Sequence, residues 1–447
     1  MSGWLITNAR LINEGEQREG DLRIKRGRID QIGRQLKARS GETVIDAQGK
    51  LLLPGMIDTQ VQFREPGMSR KGNIASESRA AVAGGITSYL DMPNTSPPST
   101  SRLALADKFS RAAGRSAANY SFYLGASREN LGEIQAIKPD EACGIKISMA
   151  SATGNLAVDA PEVLAGIFEG TQLLVAAHCE DSATIDANLA AMRKHHGNRI
   201  PAEAHALIHS REACLKASTL AVELARQHGT RLHVLQLSTA DELPLFDPGP
   251  IEGKQVTADV SIQHLYFIDA DYDSLGNLIK CNPAIKTGAD RKALRRALRE
   301  QRLDIIATNH APHLLREKTG NYESAAAGLP LVQYALPVAW SLVAGRTLSA
   351  EALVEKIAHN PARRFEIRER GYIREGYRAD LVLLDPKART VVDHQPMLSQ
   401  CGWTPFAGRK LPARVTATWV NGSLVWRDGL LTGIVPGERL EFDRPSS

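Results

Sequence analysis

Residues 173–181, LLVAAHCED, carry five apolar residues straight into a histidine and two acids. A run this short and uniformly apolar suits a strand buried on both faces, and a polar cluster at its end suits a site built where such strands stop. Seven more runs share the form: LLLPGMID (51–58), GITSYLDMP (85–93), ANYSFYLGA (118–126), CGIKISM (143–149), RLHVLQLST (231–239), QVTADVSIQHL (255–265) and LDIIATNHAPH (303–313). Helix-length stretches or long loops separate them. Eight parallel β units of this kind describe a (β/α)8, TIM-like barrel of the α/β class, with its working residues at the C-terminal strand ends. A doubly wound open sheet is the competing arrangement. Eight repeats, with polar residues at nearly every strand end, favour the barrel.

Both ends of the chain have another texture. WLITNARLI (4–12), DLRIKRGRIDQIG (21–33) and ETVIDAQGKLLLPG (42–55) alternate like short strands separated by turns, and so do GYIREGYRADLVLLDP (371–386) and ARVTATWVNGSLVWRDG (413–429). They predict one small β-sandwich domain composed of residues 1–50 and 370–447, around a barrel at 51–369. Two separate β appendages are the alternative.

The 447 residues are 43% hydrophobic and 23% charged, as expected of a soluble globular chain. The net charge of +5 comes from interleaved acids and bases rather than a basic block, so nucleic acid is not an expected partner. The densest basic segment, Arg291 to Arg302, is spaced like the solvated face of a helix. No run approaches the roughly 18 apolar residues of a membrane helix, and the start lacks the pattern of a signal peptide. Five scattered cysteines without a C-x-x-C pair fit a reducing cytoplasm.

The strand ends gather the residues that could do chemistry. They are Asp58, Gln60 and Gln62 on the first strand, Asp91 and Asn94 after the second, Lys146 on the fourth, and His178 with Glu180 on the fifth. The sixth supplies His233 and Gln236, the seventh Gln263 and His264, the loop before the eighth Asn282, and the eighth Asn309, His310 and His313. A lone histidine beside a strand is more often a satisfied core residue than a ligand. Lys146, His178 and His233 on one barrel face reverse that expectation.

Seven segments carry a resemblance: FREPG (63–67), AGGITSYLDMPNT (83–95), GIKISMASATGNL (144–156), AHCED (177–181), RLHVLQLSTADEL (231–243), NPAIK (282–286) and IATNHAPHLLREK (306–318). In this order, over essentially the full length, the chain resembles a dihydroorotase of the amidohydrolase superfamily, whose barrel and added β domain it would share. The resemblance implies pyrimidine biosynthesis, with N-carbamoyl-L-aspartate and L-dihydroorotate interconverted at two zinc ions. Hydroxide held between two metals attacks the ring amide, an Asp on strand eight handles the proton, and a carboxylated lysine, here Lys146, bridges the metals. It assigns the substrate carboxylate to Arg64, Asn94, Asn282 and His313. It also makes a homodimer the common state and aspartate transcarbamoylase a candidate partner.

The chain departs from that pattern in GMIDTQVQFREPG (55–67). Gln60 and Gln62 stand where the family has a His-x-His pair, and Asn309 stands at the position of the Asp base. Neutral amide oxygens are weak zinc partners beside imidazole or carboxylate, and an amide cannot take up and return a proton near neutral pH. Lys146, His178 and His233 would hold one zinc or none. Carboxylation of Lys146 loses the second cation that would stabilise it. An uncarboxylated Lys146 is expected instead to donate to the side-chain oxygens of Gln60, Gln62 and Asn309, with His310 or His264 as substitute bases for any residual chemistry. Three functions stay open: a hydrolase working with one metal, a non-catalytic scaffold for aspartate transcarbamoylase, and a protein that binds dihydroorotate or carbamoyl-aspartate without turnover.

Overall fold

The computed structural model describes residues 3–150, 156–392 and 396–444; residues 151–155 of the GIKISMASATGNL motif lie outside the described residues. The chain opens with β1 (Trp4–Asn13), β2 (Glu16–Lys25), β3 (Arg28–Gly33), β4 (Thr43–Asp46) and β5 (Leu51–Pro54). β1 to β3 form an antiparallel meander whose turns place Glu14, Gly15, Arg26 and Gly27 at positive φ, the backbone twist that two-residue hairpins require. β1 slips register against β2 between Ile6 and Ala9, and its first half pairs with β4 and its second with β5.

The barrel strands follow: β6 (Met56–Val61), β7 (Ile86–Asp91), β8 (Asn119–Phe122), β9 (Leu124–Gly125), β10 (Ile145–Ser148), β11 (Val175–His178), β12 (Leu232–Leu235), β13 (Val256–Ser261) and β14 (Ile305–Ala307). β6 to β8 run parallel in one sheet and β9 to β14 in another. β8 and β9 are one stave interrupted at Tyr123, and a parallel bridge between Val61 and His310 joins the first stave to the last. Seven of the eight staves fall within the apolar runs, and β6 starts in LLLPGMID and continues past it to Val61. Several of the intervening helices are capped by local side chains. Asp181 accepts from Thr184 N at 2.9 Å at the start of Ser182–His196, and Ser210 accepts from Ala213 N at 3.2 Å before Arg211–His228.

The chain ends with β15 (Leu381–Asp385), β16 (Thr390–Val391), β17 (Lys410–Leu411), β18 (Arg414–Val420), β19 (Ser423–Arg427) and β20 (Leu430–Leu431). Both termini share one sheet, in the order β20-β19-β18-β15-β5-β1-β2-β3 with β4 beside β1. β5 joins the two halves, pairing parallel with β1 and antiparallel with β15. Ile6, Leu22, Leu52, Leu381 and Trp419 fill this domain's own core. The chain passes from sheet to barrel at Gly55, where a Cβ would stand 2.1 Å from Thr87 Oγ1, so no larger residue fits there.

The basic segment is less solvated than its spacing predicts. Arg291 and Arg295 on helix Gly288–Arg299 are partly buried, and they donate to the carbonyls of Tyr266 at 2.7 Å and Leu265 at 2.6 Å. All five cysteines are buried thiols. Among the described residues no helix is long and apolar enough to cross a membrane.

Candidate functional site

The eight staves end at one face around a cavity of about 130 Å³. Six carboxamides line it, those of Gln60, Gln62, Asn94, Gln236, Asn282 and Asn309, together with Lys146, Ser148 and His178. No carboxylate stands among the lining residues described. Strand register places them. Lys146 pairs level with Ala176 and Ser148 with His178, so Lys146 and His178 rise in successive layers of the barrel mouth. Arg64, Gln236 and Asn309 all adopt left-handed backbone, with φ of 65°, 63° and 51°, a strained conformation that clusters at ligand-facing positions.

Lys146 is held differently from the sequence expectation. Its Nζ donates to the carbonyl of the adjacent Ile147 at 2.5 Å and to Ser148 Oγ at 3.2 Å; no bond to Gln60, Gln62 or Asn309 is formed. The side chain curls onto its own strand because a backbone carbonyl and a hydroxyl lie nearer than the amides across the cavity. Burial lowers its pKa from 10.5 to about 7, against a weaker opposing pull from Cys179 and Asp259. Of the amides it was expected to satisfy, Gln60 remains open, with neither Oε1 nor Nε2 meeting a partner among the described residues, whereas Gln62 Oε1 accepts from Arg64 at 2.8 Å and Asn309 Nδ2 donates to Asn282 O at 3.4 Å. Asn282 Oδ1, outside that set, is also unpaired among the described residues.

The histidines are committed to protein partners. His178 Nε2 lies 2.9 Å from Glu180 Oε2 and its Nδ1 3.0 Å from the Gln236 carboxamide. The buried Glu180 also meets His209 Nδ1 at 2.9 Å. Burial raises the Glu180 pKa, but His209 and His178 together outweigh it and hold the carboxyl well below its ordinary range. His233 pairs level with Ala176, one inward-facing layer beneath His178, and does not line the cavity. Its Nε2 lies 3.2 Å from Asp259 Oδ2 and its Nδ1 2.8 Å from Thr257 Oγ1. Since a carboxylate only accepts, that Nε2 carries a proton, and the Thr257 hydroxyl occupies the remaining nitrogen.

The residues matched to carboxylate binding fall into two layers. Asn94 and Asn282 line the cavity. Arg64 lies behind Gln62, donating from Nη1 to Gln62 Oε1 at 2.8 Å and from Nε to Pro312 O at 3.1 Å, with Nη2 2.8 Å from His313 Nε2. Burial lowers the Arg64 pKa to about 10, which leaves it cationic at neutral pH. Burial first, then Arg64 and Lys71, push His313 far below the usual imidazole range, so it is neutral and accepts from Arg64.

His310 and His264 have structural surroundings. His310 Nε2 meets Glu77 Oε2 at 2.9 Å and its Nδ1 accepts from Leu331 N at 2.9 Å, with the ring fully buried. His264 Nε2 donates to Pro283 O at 3.0 Å, and burial lowers its pKa to about 4. Asp58, also fully buried, is raised to about 7 by burial despite accepting from Thr308 N and Oγ1 and from Gln60 N.

This donor set does not fit a pair of zinc ions. The positions of one metal offer Gln60, Gln62 and Asn309, whose amide oxygens are poor ligands. At the other, both ring nitrogens of His178 and of His233 already face protein groups, and an imidazole binds metal through a free lone pair. Among the described residues no cluster of three or more His, Cys, Asp and Glu is placed to hold a metal.

Three participants escaped the sequence reading. Asp259, in the middle of β13, accepts from Gln236 N at 2.6 Å as well as meeting His233. Its inward parity within ADVS was the available signal. Ser148 could have been found two residues after Lys146. His209, which meets Glu180 from 29 residues away, left no local signal.

The sequence profile of the amidohydrolase family matches residues 51–425. The chain is similar to the dihydroorotase of Halobacterium salinarum, at 32% identity over 411 residues, covering 91% of this chain and 93% of that one. It is 30% identical to the Carboxydothermus hydrogenoformans dihydroorotase over 447 residues, covering 97% and 100%. Among solved structures, an L-hydantoinase (dihydropyrimidinase) from Arthrobacter aurescens superposes with a TM-score of 0.92 at 25% identity, covering 99% of this chain and all of that one.

Proposed function

Because this chain belongs to the amidohydrolase family, and within it to the dihydroorotases, we propose that it binds dihydroorotate or carbamoyl-aspartate with little or none of the family's zinc-dependent ring opening. The observation that carries the reading is Asn309 on the cavity wall beside Gln60 and Gln62. An amide at that position has no proton to exchange near neutral pH, and general acid–base assistance is typically worth ~10²–10⁴-fold. His310, the nearest substitute along the chain, has both ring nitrogens engaged by Glu77 and Leu331.

Binding has better support than turnover. Arg64 stays cationic behind Gln62 with His313 as its acceptor, and Asn94 and Asn282 present amides to the cavity. A small anion entering here meets fixed donors without an opposing carboxylate among the described lining residues. Homodimerisation and assembly with an aspartate transcarbamoylase belong to the same proposal on resemblance alone, and analytical sedimentation of the two proteins, separately and mixed, tests both.

Calorimetric titration with L-dihydroorotate and with N-carbamoyl-L-aspartate tests the reading, followed by NMR of the recovered ligand. Saturable binding with unchanged ligand is the expected result. Ring opening or closure that scales with protein concentration would overturn it.

A further inference from the structure

The substitutions that strip the cavity of strong metal ligands leave it lined by carboxamides, and carboxamides have a specific partner of their own. A primary amide presents one donor and one acceptor side by side, and it pairs reciprocally with any group that offers the complement in the same plane. A cyclic ureide offers that complement along its imide edge, where a ring N–H stands between two carbonyls.

Gln60 is the residue placed to read such an edge. It follows the buried Asp58 on β6, its side chain is fully buried, and it lines the cavity. Its backbone is fixed by donation from N to Asp58 Oδ1 at 3.2 Å. Its side chain is not satisfied: Oε1 and Nε2 both lack a partner among the described residues. A buried amide left unpaired is costly, and such groups call for an explanation. The neighbouring amides are differently occupied. Gln62 Oε1 is taken by Arg64, and the Gln236 carboxamide faces His178. Asn282 Oδ1 is the second unpaired acceptor on the same wall.

We infer that Gln60 is a specificity determinant for cyclic ureides: its Oε1 accepts the imide N–H and its Nε2 donates to a flanking ring carbonyl. Asn282 Oδ1 is left to accept from a further ligand N–H. The inference rests on the ligand-binding reading above and adds a preference to it. The closed ring holds its N–H and flanking carbonyl fixed in one plane, whereas the terminal ureido group of open-chain carbamoyl-aspartate offers the same pair on a freely rotating chain that must be ordered on binding. Dihydroorotate therefore binds more tightly than carbamoyl-aspartate, and a ring without the carboxylate, such as 5,6-dihydrouracil, still shows saturable binding.

The test uses the wild-type chain and one near-isosteric variant, Gln60→Met, whose folding is checked by its melting transition. Calorimetry is run with dihydroorotate, N3-methyl-dihydroorotate, 5,6-dihydrouracil and succinate. The N3-methyl group should weaken binding to wild type by roughly 10–100-fold. Gln60→Met should weaken both ring ligands to a similar degree and leave succinate unchanged. The methylated ligand reports on the wild-type protein, so the result stands even where the variant does not fold. Equal affinity of wild type for dihydroorotate and its N3-methyl derivative overturns the role of Gln60 alone. No binding of dihydroorotate by wild type overturns the ligand-binding reading and this inference with it.

Discussion

Replacing Lys146 with methionine should make the protein more stable at neutral pH. The lysine is 5% exposed, and burial brings its pKa from 10.5 to about 7. At about 1.4 kcal/mol per pH unit, keeping this amine in the fold at pH 7 costs on the order of 4 kcal/mol. Methionine of similar length removes that cost and forfeits the bonds to Ile147 O and Ser148 Oγ, each worth about 1 kcal/mol. The net gain is roughly 2–3 kcal/mol. Between pH 7 and 10.5 the unfolded chain binds more protons than the folded one, so wild type gains stability as pH rises through this window. Lys146→Met lacks that contribution, and its advantage shrinks towards pH 10. Urea unfolding of both proteins at pH 7, 8.5 and 10 measures the difference directly. A lysine that is carboxylated and bridges two metals would give the opposite sign, because its loss would release bound metal. A variant less stable than wild type at pH 7 refutes the reasoning.

Restoring the three lost ligands together, as Gln60→His, Gln62→His and Asn309→Asp, should raise zinc affinity by at least ~10–100-fold, read by competition with a chromophoric chelator; unchanged affinity would show that these positions do not govern metal binding. Arg64→Ala should weaken dihydroorotate, because it removes the cation behind the cavity wall and the bond that fixes the Gln62 amide, and an unchanged calorimetric Kd would remove Arg64 from carboxylate recognition. Glu77→Ala should destabilise the fold by roughly 3 kcal/mol or more, since each buried donor left unpaired costs about 1–3 kcal/mol and Glu77 is fully buried and accepts from Ser399 Oγ at 2.6 Å, Gln400 N at 2.9 Å and His310. Ligand affinity of the folded variant should match wild type; selective loss of binding would instead give His310 a role in the site.

The barrel is legible because its eight runs are short, largely apolar and polar at one end, a pattern that few other folds produce eight times over. The shared sheet of the two termini shows in the common texture of WLITNARLI and ARVTATWVNG, although the pivotal place of Leu51–Pro54 between β1 and β15 depends on pairings that no local pattern encodes. Composition of the site is legible too. Gln60, Gln62, Asn94, Lys146, His178, Gln236 and Asn309 reach the cavity from positions read on or just after strands, and Asn282 from the loop read before the eighth. How those side chains divide among partners is not. His233 sits a layer lower because of the register between β11 and β12, where Thr257 and Asp259 reach it first. Lys146 takes the oxygens of its own strand for the same reason of proximity. Residue type gives a group's capacity to bond, whereas register and distance decide which neighbour uses it.

The most direct measurement is dihydroorotate ring opening by the purified protein in the presence of added zinc, beside Lys146→Ala prepared identically to account for enzyme from the expression host. Activity no greater than that control, with zinc unable to raise it, is the predicted result. Turnover that rises with zinc and disappears in Lys146→Ala would contradict the account, because it would require a working metal centre built on glutamine and asparagine.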